Sequence, residues 1–470
     1  MAQEDRSSVL FTQEGTPAVS QLVPLSLQHV VAAVVGIITP AIIVANAFGL
    51  DQADRSLLIQ VSLVMAGVLS LLQSHPLFGF LGSGLPVFMG AAFAYVPTLT
   101  AVAGMGGIGA IFGAQVIGGL VAVVFGLFFK YIRRLFPPVV TGTVVFSIGL
   151  SLYTVAVGYM AGGAGAADFG SVRNWAVALV TLVACVAFAN FGKGVLKLGS
   201  LLWGLLVGYG VSLALGMVSF DGLAQESWLA LPTFMPFALE FQPAAIASLS
   251  IVFIVGAVQI VGDLNGACAG ALDRAPTERE VTGAILSQGL LSVVGSFFGA
   301  LPTGTYSQNI GIVNQNKVIN KKVMVCACLI MLCAGLMPKV AFVLSGIPKA
   351  VIGGATINVF ATITMTGVRL LTKDGLSQRT ASAAGLSVAL GMGIALTGGA
   401  LAGPGMPEWV QGVLGSSSLV VTTVTAIVLN LVLPGAEKVA ADPVPAAAAE
   451  RGDGDGGGLA PGGPGLAAGA

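Results

Sequence analysis

Leu301-Pro302-Thr303-Gly304-Thr305-Tyr306-Ser307-Gln308-Asn309-Ile310-Gly311 interrupts a hydrophobic run with a proline, two glycines and a string of hydroxyl and amide side chains. Some forty residues earlier, Gln259 and Asp263 lie four apart inside another apolar run, so on a helix they share one face. A carboxyl group at that depth is costly unless water or a polar partner receives it, which makes it a functional position by default. A backbone break at the same depth is tolerated only against protein, water or a ligand. The two stretches read as facing walls of a substrate site.

Composition sets the medium. The 470 residues are 56% hydrophobic and 9% charged, against about 25% charged in soluble domains. This composition specifies an all-α polytopic membrane protein. Met1 to Thr16 is polar with acidic residues and has no basic, then apolar, signal pattern, so the first hydrophobic run is expected to be a retained span. The five cysteines lie in or near apolar runs and read as small hydrophobes. A net charge of zero gives no reason for a nucleic-acid partner. The 66 glycines fit close helix packing and broken helices.

Windows long enough to cross a bilayer recur about fourteen times, near 22–48, 57–73, 78–103, 108–129, 136–158, 173–191, 198–217, 244–268, 280–300, 302–317, 323–338, 348–368, 380–397 and 417–434. With the amino terminus inside, inner connections receive thirteen Lys and Arg residues, among them Lys130, Arg274, Arg279, Lys321 and Lys373, and outer ones four. Both termini are therefore expected in the cytoplasm. Split into two sevens, the third span of each half is abnormal: Leu81 to Pro97 in the first, Leu301 to Gly311 in the second. Interruptions at matching positions predict 7+7 inverted repeats with the site where the breaks meet. Residues 1–21 read as a cytoplasmic segment, 22–434 as the transporter domain, and 435–470, rich in Ala, Gly, Pro and Asp, as a disordered cytoplasmic tail.

Asp263 is the strongest single signal, as proton carrier, cation ligand or substrate anchor. Gln259 offers a donor and an acceptor but does not titrate. His29, inside the first span, suits proton coupling or a hydrogen bond to a neighbouring helix. Ser307, Gln308 and Asn309 stand where a half-helix amino terminus exposes N–H groups. There they either read the polar edge of a planar heterocycle or simply cap the helix. Opposite them, Gly90 to Pro97 reads as a short extended piece with Ala92 beside Phe93, whose ring can stack on an aromatic ligand or pack between helices. Zinc-protease, paired-cysteine and phosphate-loop patterns are absent from the sequence, so no enzyme is expected.

These residues resemble the nucleobase–ascorbate transporter (nucleobase:cation symporter-2) family over residues 22–434. Gln308-Asn309-Ile310-Gly311 looks like the family's Gln-Asn-x-Gly signature. Leu27-Gln28-His29-Val30, Gly90 to Pro97, Phe136 to Thr143 and Pro348 to Ala355 support it in order. The resemblance implies short extended pieces in spans 3 and 10, and a core domain (22–129 and 244–338) moving against a gate domain (136–217 and 348–434) as an elevator. It also implies a homodimer in a bacterial-type inner membrane. It assigns Gln259, Gln308, Phe93, Ala92, Ser307 and Asn309 to substrate binding and Asp263 and His29 to proton coupling. The proton is the only coupling ion, with no cofactor and no metal. A purine of the xanthine or uric acid type is the expected substrate, because uracil-type members usually have Glu where Gln308 stands. Three positions depart from the family: Asn316 replaces a Thr, Gln259 a Glu, and Gln288 an Asp in the ninth span. The last two changes remove carboxylates that pair with substrate or hold the proton. A proton-independent uniporter, a uracil-type permease, an anion exchanger of the related sulfate-transporter architecture and a non-transporting purine sensor are the alternatives.

Overall fold

The computed structural model describes residues 9–132, 135–373, 375–415 and 417–434. The tail expected from 435 onward lies outside these residues, as do the first eight.

Helix α1 (Val19–Ala47) begins three residues before its expected start and is followed by α2 (Gln52–Ser74). A bent loop, strand β1 (Met89–Ala91) and the short apolar helix α3 (Phe93–Val102) come next. Then follow α4 (Gly109–Leu127), α5 (Pro138–Met160), α6 (Val172–Phe191), α7 (Ser200–Ala214), α8 (Pro243–Ala271) and α9 (Glu278–Ser296). Strand β2 (Thr303–Thr305) leads into α10 (Ser307–Asn316). The chain ends its described part with α11 (Lys321–Gly335), α12 (Lys349–Leu371), α13 (Gln378–Leu396) and α14 (Ser418–Val432). Each expected window thus holds a helix. Among the described residues, eight helices are long and apolar enough to cross a membrane, or nine when α11 is joined to Pro338–Ser345, into which it bends by 80°.

The helix starts follow local chemistry. Asp51, Ser171 and Ser377 accept hydrogen bonds from first-turn N–H groups of α2, α6 and α13. Thr277 and Glu280 close a reciprocal capping box on α9. Pro138 and Pro243 occupy first-turn positions, where a missing N–H costs nothing. Residues 75–88, which take in the start of the third window, are not helical. Pro76, Gly79, Gly82, Gly84 and Pro86 fall within eleven residues there, and the loop is closed by pairing of Leu77 with Leu81.

The two interrupted segments meet. β1 and β2 run antiparallel with Met89 opposite Thr305, Gly90 opposite Gly304 and Ala91 opposite Thr303. Ala92 N–H donates to Pro302 O and Tyr306 N–H to Phe88 O at 3.1 and 3.0 Å, extending the ladder at both ends. The central glycines are required by proximity. A Cβ on Gly90 would lie 3.0 Å from both Ala66 Cβ and the Tyr306 ring, and one on Gly304 would lie 2.9 Å from Ala92 Cβ.

Around this pair, α1 and α2 pack on α11, and α4 packs on α8 and α9. A separate set forms where α12 lies along α5 and α6, with α14 on α5 and α13. The α5–α12 seam is close because Gly149 leaves room for Thr364 and Gly367 for the Phe146 backbone.

Candidate functional site

The site is assembled where α8, β2 and the start of α10 converge. Thr305 Oγ1 donates to one Asp263 oxygen, and Ser307 Oγ donates to the other at 2.8 Å. Gln259, one turn back on α8, is close enough to reach the same carboxylate. Asp263 is half-buried and Ser307 and Gln308 are exposed, so the carboxylate is gripped from one side and open on the other. Thr305 has no feature in the sequence that sets it apart; it reaches Asp263 because it closes β2 two residues before the start of α10.

The amino terminus of α10 lacks a side-chain cap. Its N-cap residue, Tyr306, makes no capping bond and places its hydroxyl on Ala91 O. Ser307 spends its hydroxyl on Asp263, and Asn309 turns to α1, donating to His29 O at 3.0 Å and meeting His29 Nδ1 at 3.2 Å. The cap alternative therefore fails for Ser307 and Asn309. A helix start left in this way offers N–H groups and partial positive charge to whatever occupies the opening.

His29 and Asn309 are both buried. The bond from Asn309 to a backbone carbonyl fixes which amide atom is nitrogen, since an oxygen there would face another acceptor. The same nitrogen meets Nδ1, so Nδ1 is the acceptor and the neutral ring carries its proton on Nε2. Asn309 thus braces α10 against α1 and does not reach into the opening. Ala92 lies under the strand pair, and Phe93 is buried with its ring edge against Phe360 of α12, centroids 5.2 Å apart. Phe93 therefore sits where the two helix sets touch. Phe360 carries no pattern in the sequence that marks it out from other apolar residues of its span.

Gln288 lies outside the opening. It is fully buried on α9, and its amide nitrogen donates to Tyr95 Oη at 2.9 Å and to Thr303 O at 2.6 Å. A neutral amide at this position ties α9 to both interrupted segments without bringing a charge into the site.

A cavity of about 1560 Å³ opens between α4, α5, α8 and α9, lined by Phe136, Thr141, Val258, Gly262 and Gly266 and rimmed by Lys130, Arg274, Glu278 and Lys373. Gly262 and Gly266 flank Asp263 on α8, and a Cβ on either would meet nothing within 4 Å. Helical spacing sets this cavity-lining stripe about a quarter-turn round from the face that carries Gln259 and Asp263. The two glycines form the low edge between cavity and carboxylate.

Long apolar helices packed around two interrupted segments, with polar side chains gathered at the breaks, define a polytopic membrane transporter. The model of the Permease family (Xan_ur_permease) matches residues 20–398, and the chain belongs to that family, the nucleobase–ascorbate transporters. The xanthine permease of Bacillus subtilis (strain 168) is 33% identical over 414 residues, covering 87% of this chain and 92% of that one. The uric acid permease PucJ of the same organism is 34% identical over 415 residues, 87% and 91% of the two chains. The xanthine permease XanP of Escherichia coli (strain K12) is 30% identical over 457 residues, 92% and 96%. Among solved structures, the transmembrane domain of the cyanobacterium bicarbonate transporter BicA superposes with a TM-score of 0.59 at 15% identity, over 88% of this chain and 98% of that one. The murine Slc26a9 anion transporter in its inward-facing state gives 0.61 at 12% identity, over 87% and 68%. These two likenesses concern the fold alone. The chain is a multi-pass membrane permease and not an enzyme.

Proposed function

We propose that this permease moves a purine nucleobase of the xanthine or uric acid type across a bacterial inner membrane, coupled to a proton. The reading rests on one arrangement: Asp263, gripped by Thr305 and Ser307, faces the uncapped start of α10 beside the exposed Gln308. A carboxylate, two amides from Gln259 and Gln308, and helix N–H groups together complement the alternating donors and acceptors of an oxopurine edge. The named activities of the xanthine and uric acid permeases that this chain resembles support the same substrate class.

Asp263 carries the coupling proton in this scheme. His29 supports the site through Asn309, and its Nε2–H is what remains for proton work. Phe93, at the contact with Phe360, closes the apolar side of the ring pocket and marks the surface along which core and gate slide. The two helix sets, the antiparallel pairing of β1 with β2 and a helix in every expected window support fourteen spans as 7+7 inverted repeats, an elevator movement and both termini in the cytoplasm. A homodimer through the second helix set belongs to the same reading. The anion-exchanger alternative calls for a basic residue at the start of α10, and it is disfavoured because Ser307, Gln308 and Asn309 stand there instead.

A thermal-shift panel of nucleobases on the purified protein tests the substrate. Stabilisation by an oxopurine that disappears in Gln308→Ala and Asp263→Asn is the expected result, and an unshifted wild type across the panel refutes it. Radiolabelled purine uptake that continues unchanged after the proton gradient is dissipated selects the uniporter.

A further inference from the structure

The loop between α2 and β1 carries an apolar surface that the transport site does not use. Leu77, Phe78 and Phe80 are 50%, 77% and 53% exposed, within four residues of one another. This is a fixed tip. Leu77 N–H donates to Leu81 O at 2.9 Å, Gly84 N–H to Gln73 O at 2.7 Å and Gly82 N–H to Gly283 O at 3.0 Å. The Arg279 guanidinium, at the start of α9, holds Gly79 O through Nε at 2.9 Å. Phe78 is kept at φ 53°, a left-handed conformation a phenylalanine adopts only when its surroundings impose it. The two phenyl rings stack with centroids 6.3 Å and planes 28° apart. Structure is thus spent on holding two aromatic rings outward.

Position and charge indicate what covers them. Helix α2 has 23 residues, about 35 Å at 1.5 Å per residue, slightly more than the roughly 30 Å hydrocarbon core. Residues immediately past Ser74 therefore stand at headgroup depth, where aromatic side chains favour the boundary between acyl chain and water. Two basic groups stand beside the tip: Arg279 is at its foot and the Lys321 charge reaches His75 at the loop's start, while Lys130 is paired with Glu278 at 4.0 Å. Of the acidic groups packed there, Glu280 is already paired with Arg274 at 2.6 Å.

We propose that Leu77-Phe78-Gly79-Phe80 is a membrane anchor whose rings enter the acyl–headgroup boundary, with anionic lipid phosphates held beside Arg279 and Lys321. The loop continues through Ser83 and Leu85 into β1, so the anchor fixes the depth of one wall of the transport site. It stands independently of which solute is carried.

The test uses the full chain in lipid nanodiscs with Phe78→Trp, and Phe80→Trp as a second variant, read as fluorescence added to that of the parent. The added emission should be blue-shifted, fall at least about twofold with bromine-labelled lipids and resist aqueous iodide. Emission quenched by iodide and indifferent to bromolipid overturns the anchor. So does blue-shifted emission indifferent to both quenchers, which assigns the tip to a protein partner or a second copy. In a melting arm, the extra stabilisation that anionic lipid gives over zwitterionic lipid should shrink in Lys321→Gln, which removes a charge and leaves both rings in place; an undiminished gain overturns the charge component.

Discussion

Replacing Gln288 by leucine tests how the interrupted segments are held. The amide nitrogen now satisfies Tyr95 Oη and Thr303 O, both buried, and leucine keeps the volume while removing both bonds. Each group left without a partner costs about 1–3 kcal/mol, or about 2–6 kcal/mol together. Some of this is returned, because Gln288 Oε1 is itself buried without a partner and leaves with the substitution. A net loss of about 3 kcal/mol remains, a factor of roughly a hundred in any equilibrium that requires the β1–β2 pair to be closed. With three residues per strand, that pair has little stability of its own. The loss should therefore appear in two measurements: a lower midpoint of denaturant unfolding in detergent, and a nucleobase affinity weakened by tenfold or more (about 1.4 kcal/mol). If unfolding and affinity both stay within about 0.5 kcal/mol of wild type, the two groups find other partners and Gln288 is not the tie that joins α9 to the strands.

Gly262→Val should leave the melting temperature nearly unchanged, since no atom lies within 4 Å of the added Cβ, while lowering uptake severalfold by raising the edge between cavity and Asp263; uptake equal to wild type rejects that route. Asn309→Leu breaks the brace to His29 and leaves the buried His29 Nδ1 without its donor, so a stability loss of about 1–3 kcal/mol is expected in denaturant titrations. Thr305→Val and Asp263→Asn, measured singly and together for nucleobase affinity, should be non-additive because the two side chains share one hydrogen bond; strict additivity argues against a shared role. Asn320 donates to Val9 O and Glu14 O at 3.0 and 3.2 Å and caps α11 through Lys322 N–H. Asn320→Ala should cost about 1 kcal/mol and speed limited proteolysis within residues 9–16, with unchanged cleavage as the contrary result.

The sequence by itself determined the medium, the helices and the places where they break. A bilayer demands that each crossing satisfy its own backbone, so apolar windows and Gly/Pro interruptions are legible one segment at a time. The same local logic marked Asp263, because an ionisable group in an apolar run is conspicuous without any knowledge of its neighbours. It could not say which side chains spend their hydrogen bonds on each other. Asn309 looked like a ligand-binding amide and is a brace to His29; Gln288 looked like a missing charge in the site and is a buried tie between α9 and the strand pair. Phe93 was open to stacking or packing, and the structure places its ring against Phe360, 267 positions further along the chain. Thr305 entered only because β2 turns it toward a helix begun some sixty residues earlier. Polar contacts inside a membrane protein are made between segments far apart in the chain, and a side chain has only a few donors and acceptors to place. Which partner takes it is decided by the crossing of helices, and that crossing exists only in the folded molecule.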